Sequence, residues 1–236
     1  KMINTKILKN SYRHDVVSIL QSKVNNIGVE LGVAEGIFSH RMVESNLFSA
    51  FFGVDMYSDM HDINEYKTAL KKIGIFSNYK LLRMTFEDAY DLFDDESLDF
   101  VYVDGYAHNG EEGGRTIFEW SKKVKIGGVL AGDDYHNDWP LVQKAVDEFV
   151  RLSGFDLYVT SNTEKNSYCN YPSWATIIKS STKDLSSPVS LISKGNAAKR
   201  PRKSIISYIE FFLQENIPKK IVIFLKLIKK SLFRNG

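Results

Sequence analysis

Gly28-Val29-Glu30-Leu31-Gly32-Val33-Ala34-Glu35-Gly36, followed one strand later by Phe51-Phe52-Gly53-Val54-Asp55, decides the fold of this chain. The first segment reads as a short apolar strand running through two glycines into a helix. That arrangement leaves backbone N–H groups and a helix N-terminus free to approach a ligand. The second segment ends a strand in a carboxylate, which at the tip of the second strand of a βαβ unit is placed to accept both hydroxyls of a ribose. Together they point to a nucleoside cofactor. A dinucleotide normally takes GxGxxG at this turn so that the backbone closes around a pyrophosphate, whereas this chain has ExGxxxG.

Working outward, 236 residues with 43% hydrophobic and 13% aromatic content suffice for one substantial core plus an appendage. The single Cys169 forms no internal disulfide, and with no signal-peptide pattern this points to a reducing, cytoplasmic compartment. The net charge of +2 conceals an asymmetry: residues 194–236 carry +9 and residues 1–193 carry −7. An acidic body argues against a nucleic-acid-binding face, which needs clustered Lys and Arg. A small neutral or hydroxylated substrate fits better.

The body alternates apolar strands with amphipathic helices. Strands are expected at 27–31, 50–55, 80–84, 98–104, 128–132, 155–160 and 174–178, and helices at 39–45, 63–73, 112–124 and 140–152. This predicts an α/β fold: a doubly wound, mostly parallel, seven-stranded sheet with helices on both faces and an antiparallel hairpin at its edge. The helix at 140 is expected to open with Asp138 near its cap and Pro140 in its first turn. The expected organisation is a catalytic domain over 1–180, a polar and basic linker over 181–203 and a basic helical tail over 204–236.

A second constellation lies at the ends of the fourth and fifth strands. Asp104 follows Phe100-Val101-Tyr102-Val103, and Asp133-Asp134 follow Gly127-Gly128-Val129-Leu130-Ala131-Gly132. Strand ends of this kind face the ligand crevice of an open α/β sheet. Three carboxylates converging there repel one another unless a cation or hydrogen-bond donors compensate them. Hard oxygen ligands suit Mg²⁺ or Ca²⁺ rather than zinc, so Asp104, Asp133 and Asp134 are the candidate metal ligands. The alternative is that Asp133 and Asp134 form an acidic turn capping the next helix while Asp104 serves only the cofactor.

The run of ExGxxxG, GVDMY, VDG and GDDY resembles the class I S-adenosylmethionine (SAM)-dependent methyltransferases, and among them the Mg²⁺-dependent sugar O-methyltransferases of macrolide and aminocoumarin pathways and their wider bacterial group. The likeness covers about residues 26–180. It implies a Rossmann-like fold, SAM bound by Glu30, Gly32, Gly36 and Asp55, and a metal on Asp104, Asp133 and Asp134, with Asp104 also near the cofactor. Asp88, after the third strand, is where such a fold contacts adenine, although a helix cap with Thr85 reads equally well. The catechol-type relatives carry an Asp-Asn pair where Asp133-Asp134 stand, which favours a sugar or glycan hydroxyl over a catechol as acceptor.

Methyl transfer from a sulfonium needs oxygen, methyl carbon and sulfur in line, and a proton acceptor for the attacking hydroxyl. Relatives place a carboxylate two residues after the first metal Asp or a histidine three after it. Here Tyr106 and Ala107 occupy those positions, so His108 is the candidate base, His136 the runner-up, and Tyr106 a residue that orients substrate. In the tail, Ile221, Phe224, Leu225, Ile228 and Leu232 share one helical face opposite Lys219, Lys226, Lys229 and Lys230. Such a helix is too short and charged to span a bilayer, and instead lies on an anionic inner membrane face, packs on the body, or joins two copies of the chain. The competing functional classes are an NAD-dependent oxidoreductase, against which the glycine spacing speaks, and a noncatalytic cofactor-binding module.

Overall fold

The structure is a computed structural model describing residues 3–58, 62–105, 110–164 and 168–198. In chain order it comprises β1 (Thr5–Leu8), a 3-10 helix (Arg13–Ile19), β2 (Asn26–Leu31), α1 (Ile37–Glu44), β3 (Phe48–Val54), α2 (Ile63–Ile73), β4 (Tyr79–Leu82), α3 (Phe86–Tyr90), β5 (Leu98–Val103), α4 (Arg115–Ser121), β6 (Val124–Gly132), α5 (Pro140–Ser153), β7 (Leu157–Thr160), β8 (Trp174–Ile177) and α6 (Val189–Ala198). The strands form one sheet in the order β1-β7-β8-β6-β5-β2-β3-β4. All pairings are parallel except those of β8, which runs antiparallel to β6 and β7. The sheet therefore has eight strands rather than the expected seven. The extra strand, β1, is four mostly exposed residues with no alternating apolar pattern, held at the edge by its pairing with β7.

Central strands are buried on both faces, as parallel strands under crossover helices are. Val29, Leu31, Val101, Val103 and Leu130 pack into a cluster that includes residues of α3, α4, α5 and α6. Phe100, Tyr102, Val129 and Ala131 point the other way, into a cluster with the 3-10 helix, α1 and α2. The order reverses between β2 and β5, each of which starts a run toward opposite edges, and the carboxyl ends beside such a switch point form the ligand crevice.

Helix boundaries follow local chemistry. α2 matches its expected range because Asp62 accepts N–H bonds from Asn64 and Glu65 while Glu65 reaches back to the Asp62 N–H, a reciprocal cap worth about 1 kcal/mol. The helix expected over 112–124 is shorter, since Gly113 and Gly114 adopt φ of 72° and 76° ahead of Arg115. Trp139 is the cap residue of α5, with Asp138 just before it and Pro140 at its start. Residues 181–198, expected as linker, belong to the same compact unit as the sheet: Leu191 is buried in the core and Ser187 donates to the Gly113 carbonyl. The amphipathic tail expected over 204–236 lies outside the described residues. Among the described residues, no helix is long and apolar enough to cross a membrane.

Candidate functional site

The candidate residues leave the sheet in register. Leu31 pairs with both Val54 and Val103, and Val103 pairs with Gly132. The next residues continue the ladder by one step: Gly32 N–H donates to Val54 (2.8 Å), Asp104 N–H to Leu31 (2.7 Å) and Asp133 N–H to Val103 (3.3 Å). Gly32, Asp55, Asp104 and Asp133 thus stand side by side along the carboxyl edge.

Gly32 is there because nothing larger fits. Its φ is 96°, and a Cβ added to it would lie 1.5 Å from the Asp104 carbonyl oxygen. The loops after β2 and β5 consequently meet backbone to backbone, leaving a floor without side chains. Gly36, at φ 76°, is the left-handed residue that starts α1. Asp55, 4% exposed, binds this loop: one carboxylate oxygen accepts from Val33 N–H (2.9 Å) and Ala34 N–H (3.1 Å), the other from Tyr57 N–H (3.0 Å). A carboxylate offers about four lone-pair sites, and donors among the described residues take three of them, which leaves one suited to a ribose hydroxyl. A bare glycine floor beside a carboxylate with spare acceptor capacity fits a nucleoside cofactor.

Glu30, at the end of β2, is 1% exposed, accepts a short hydrogen bond from the Ser39 hydroxyl, and lies 3.9 Å from Arg13 Nη2. Burial pushes its carboxyl up to about 8, with Arg13 and the Ser39 bond pulling it back only in part. Asp88 sits in the first turn of α3 and exchanges hydrogen bonds with Thr85, whose side chain caps that helix. The capping alternative describes its observed contacts.

The acidic end is organised by a residue the sequence did not single out. Arg13, on the 3-10 helix, is 4% exposed. Its Nη2 makes a short ion pair with Asp104, its Nη1 lies 3.3 Å from Asp133 Oδ2 and donates to the Tyr168 carbonyl (2.9 Å), and its guanidinium carbon lies 5.0–5.1 Å from the ring centroids of Phe38, Tyr102 and Tyr168. Burial works against its charge, but Asp104, Tyr102, Asp133 and Glu30 more than compensate and hold its pKa well above the usual value. Asp133 is fixed from the other side by the Ser173 hydroxyl (2.9 Å), itself 3.0 Å from the Tyr102 hydroxyl. Burial pushes Asp133 up to about 6 against the pull of Arg13. Asp134, 8% exposed and at φ 60°, is pushed up to about 8 by burial and by its neighbours Asp133 and Asp104.

These contacts bear on the expected Mg²⁺ site. Magnesium requires near-octahedral oxygen ligands at about 2.0–2.1 Å, yet Asp104 and Asp133 direct oxygens at the guanidinium and the second oxygen of Asp133 accepts from Ser173. Among the described residues, no group of three or more His, Cys, Asp or Glu side chains is arranged to hold a metal ion. As arranged, Asp104 and Asp133 fit the Arg13 guanidinium better than a divalent ion, which speaks against the metal expected on Asp104, Asp133 and Asp134. His136 turns toward the surface: its Nδ1 accepts from the Asp138 N–H (3.2 Å) and its ring lies 5.0 Å from that of Tyr171. His108 and Tyr106 lie outside the described residues.

Comparison with known proteins bears on the fold. Residues 29–135 match the family model of a methyltransferase domain. A search of curated protein sequences finds no match. Among solved structures, the chain is similar to an O-methyltransferase from Bacillus cereus in complex with SAH (12% identity, 70% of this chain and 78% of that one, TM-score 0.52). It is also similar to a SAM-dependent O-methyltransferase from Thermotoga maritima (16%, 72% and 67%, 0.51). A third similar structure is a precorrin 8W decarboxylase from Methanobacterium thermoautotrophicum (16%, 68% and 85%, 0.50). At these identities the structures share the fold, and a fold alone does not choose a reaction.

Proposed function

We propose that this chain, whose residues 29–135 match the family model of a methyltransferase domain, is a SAM-dependent O-methyltransferase acting on a hydroxyl of a small molecule, with a sugar or glycan as the favoured acceptor. The observation that carries the reading is the row of Gly32, Asp55, Asp104 and Asp133 along one sheet edge, which sets a nucleoside cradle directly beside a cluster of buried carboxylates. When bound, SAM supplies an electrophilic methyl group on a sulfonium. The glycine floor and Asp55 hold the nucleoside, and the carboxylates beside them receive the acceptor hydroxyl as a hydrogen-bond donor.

Asp134 is the proton acceptor we favour. A group titrating near 8 is matched to general-base work close to neutral pH, whereas an ordinary carboxylate is too weak a base. The sugar preference rests on the resemblance of the acidic run to sugar O-methyltransferases. In this reading Mg²⁺ is not required, because Asp104 and Asp133, two of the three carboxylates expected to bind it, face Arg13. The test is transfer of labelled methyl from SAM to a panel of sugars, glycans and catechols, with EDTA or Mg²⁺ present. Transfer to a sugar or glycan, equal in both conditions and lost in Asp134→Asn, is expected. Transfer to none of the panel, beside clear NAD binding, would overturn the reading.

A further inference from the structure

We propose that Arg13 is the resident cation of the acidic sheet edge: the chain itself supplies, from its N-terminal 3-10 helix, the positive charge that holds Asp104 and Asp133 in place without a divalent ion. The inference deepens the proposed methyl transfer only in its consequence for acceptor binding. Its physical content concerns the protein without cofactor or substrate.

The guanidinium is placed by the fold and is not a surface side chain that has drifted in. Val16, Val17 and Leu20, from the 3-10 helix and the residue after it, are buried in the core cluster that also contains Phe38 and Tyr102. The Tyr12 N–H is bonded to the Asp15 carboxylate (2.8 Å), closing the start of the helix, and the Ser11 hydroxyl donates to the Leu8 carbonyl. β1 anchors the segment by pairing with β7. Three aromatic rings lie against the guanidinium, a setting that suits arginine and its planar, weakly hydrated charge better than lysine. Among the described residues its Nε has no hydrogen-bond partner, so its contacts to the cluster run through the two terminal nitrogens.

A metal and a guanidinium organise carboxylates differently. A divalent ion gathers oxygens around a point and can also take two vicinal hydroxyls of a substrate into its own shell. A guanidinium presents N–H donors in a fixed planar fork and accepts no oxygen ligand. With Arg13 in this position, an acceptor hydroxyl is held by hydrogen bonds to the carboxylates, and no vicinal diol is required. Arg13 is therefore a positioning residue that acts through Asp104 and Asp133.

The experiment uses the whole 236-residue chain without SAM or acceptor and reads terbium luminescence and thermal unfolding in EDTA, Mg²⁺ and Ca²⁺. Wild type is expected to show no shift in Tm between EDTA and Mg²⁺ and no terbium signal that Asp133→Asn removes. Arg13→Met, which keeps the volume and deletes the charge, is expected to melt about 10 °C lower, to recover part of that loss in Mg²⁺ or Ca²⁺, and to bind terbium at least tenfold more tightly than wild type. Adding Asp133→Asn should abolish that gain. Arg13→Lys should remain insensitive to the ions, which separates charge from packing. A wild-type Tm raised by Mg²⁺ and returned to baseline by Asp133→Asn would overturn the proposal, as would an Arg13→Met protein that binds terbium no better than wild type. If Arg13→Met does not fold, the wild-type and Arg13→Lys arms decide alone. Because no readout involves methyl transfer, a failed acceptor screen and a failed Arg13 proposal remain distinguishable.

Discussion

Asp55 and Asp104 leave their strands at the same level of one sheet, yet their charges are answered by different means. Asp55 is gripped by the N–H groups of Val33, Ala34 and Tyr57, at most 22 residues away and all in the loops that its own βαβ unit creates. Asp104 is gripped by a guanidinium 91 residues upstream, carried on a segment that docks beneath the sheet edge. The first solution is local and made of backbone, so it follows from the motif. The second is long-range and made of one side chain, so it depends on how an N-terminal segment of another part of the fold packs. A carboxylate row can thus be neutralised by donors at one end and by an internal cation at the other, without a shared counterion.

The largest effect should come where the two ends touch. Gly32→Ala places a Cβ against the Asp104 carbonyl and forces φ 96° on a residue with a side chain. A loss of about 4 kcal/mol or more, or failure to fold, is expected in urea titrations. Next comes the acidic end: Arg13→Met leaves buried carboxylates without their cation and should cost about 3–5 kcal/mol at pH 7. A cost near zero would mean that the two ends do not differ.

The pH dependence sharpens the same contrast. Glu30 and Asp134 are raised to about 8 in the fold from ordinary values of 4.5 and 3.8. Each therefore takes up a proton on folding. The stability they contribute is complete below their unfolded values and is lost as pH rises through about 8, at about 1 kcal/mol per pH unit per group within that window. Chemical denaturation of wild type from pH 5 to 9 should show this decline, and Glu30→Gln should flatten it. Methyl-transfer rate is expected to move in the opposite sense, rising toward a plateau above about pH 8 as Asp134 loses its proton. The smallest effect belongs to the cradle: Asp55→Asn keeps one acceptor oxygen and its shape, so it should cost about 1–2 kcal/mol while weakening SAM binding well beyond what that loss of stability explains.

What could be read in the sequence follows the same division. Strands at 27–31 and 98–104 and the helix at 63–73 were legible because apolar runs, glycines and amphipathic spacing are local signals. α4 starts at Arg115 rather than at 112 because Gly113 and Gly114, both at positive φ, interrupt a pattern that otherwise continues, and β6 starts at Val124, four residues before the expected 128, running through Gly127 at φ 89°. β1 is too short and exposed to leave a pattern. The carboxylates themselves were legible, and the need for a compensating cation followed from their convergence; its identity did not. Tyr12-Arg13-His14-Asp15 carries no spacing that marks one arginine as buried, and only the docking of that segment against Phe38 and Tyr102 selects it.

The most direct measurement is calorimetric titration of the 236-residue chain with SAM, its demethylated product and NAD, each in EDTA and in Mg²⁺, beside Asp55→Asn. Binding of SAM and its product with the same affinity in both conditions, weakened in the variant and absent for NAD, is the expected result. SAM binding that requires Mg²⁺ would contradict the internal-cation arrangement, and binding of NAD in place of SAM would contradict the methyltransferase reading itself.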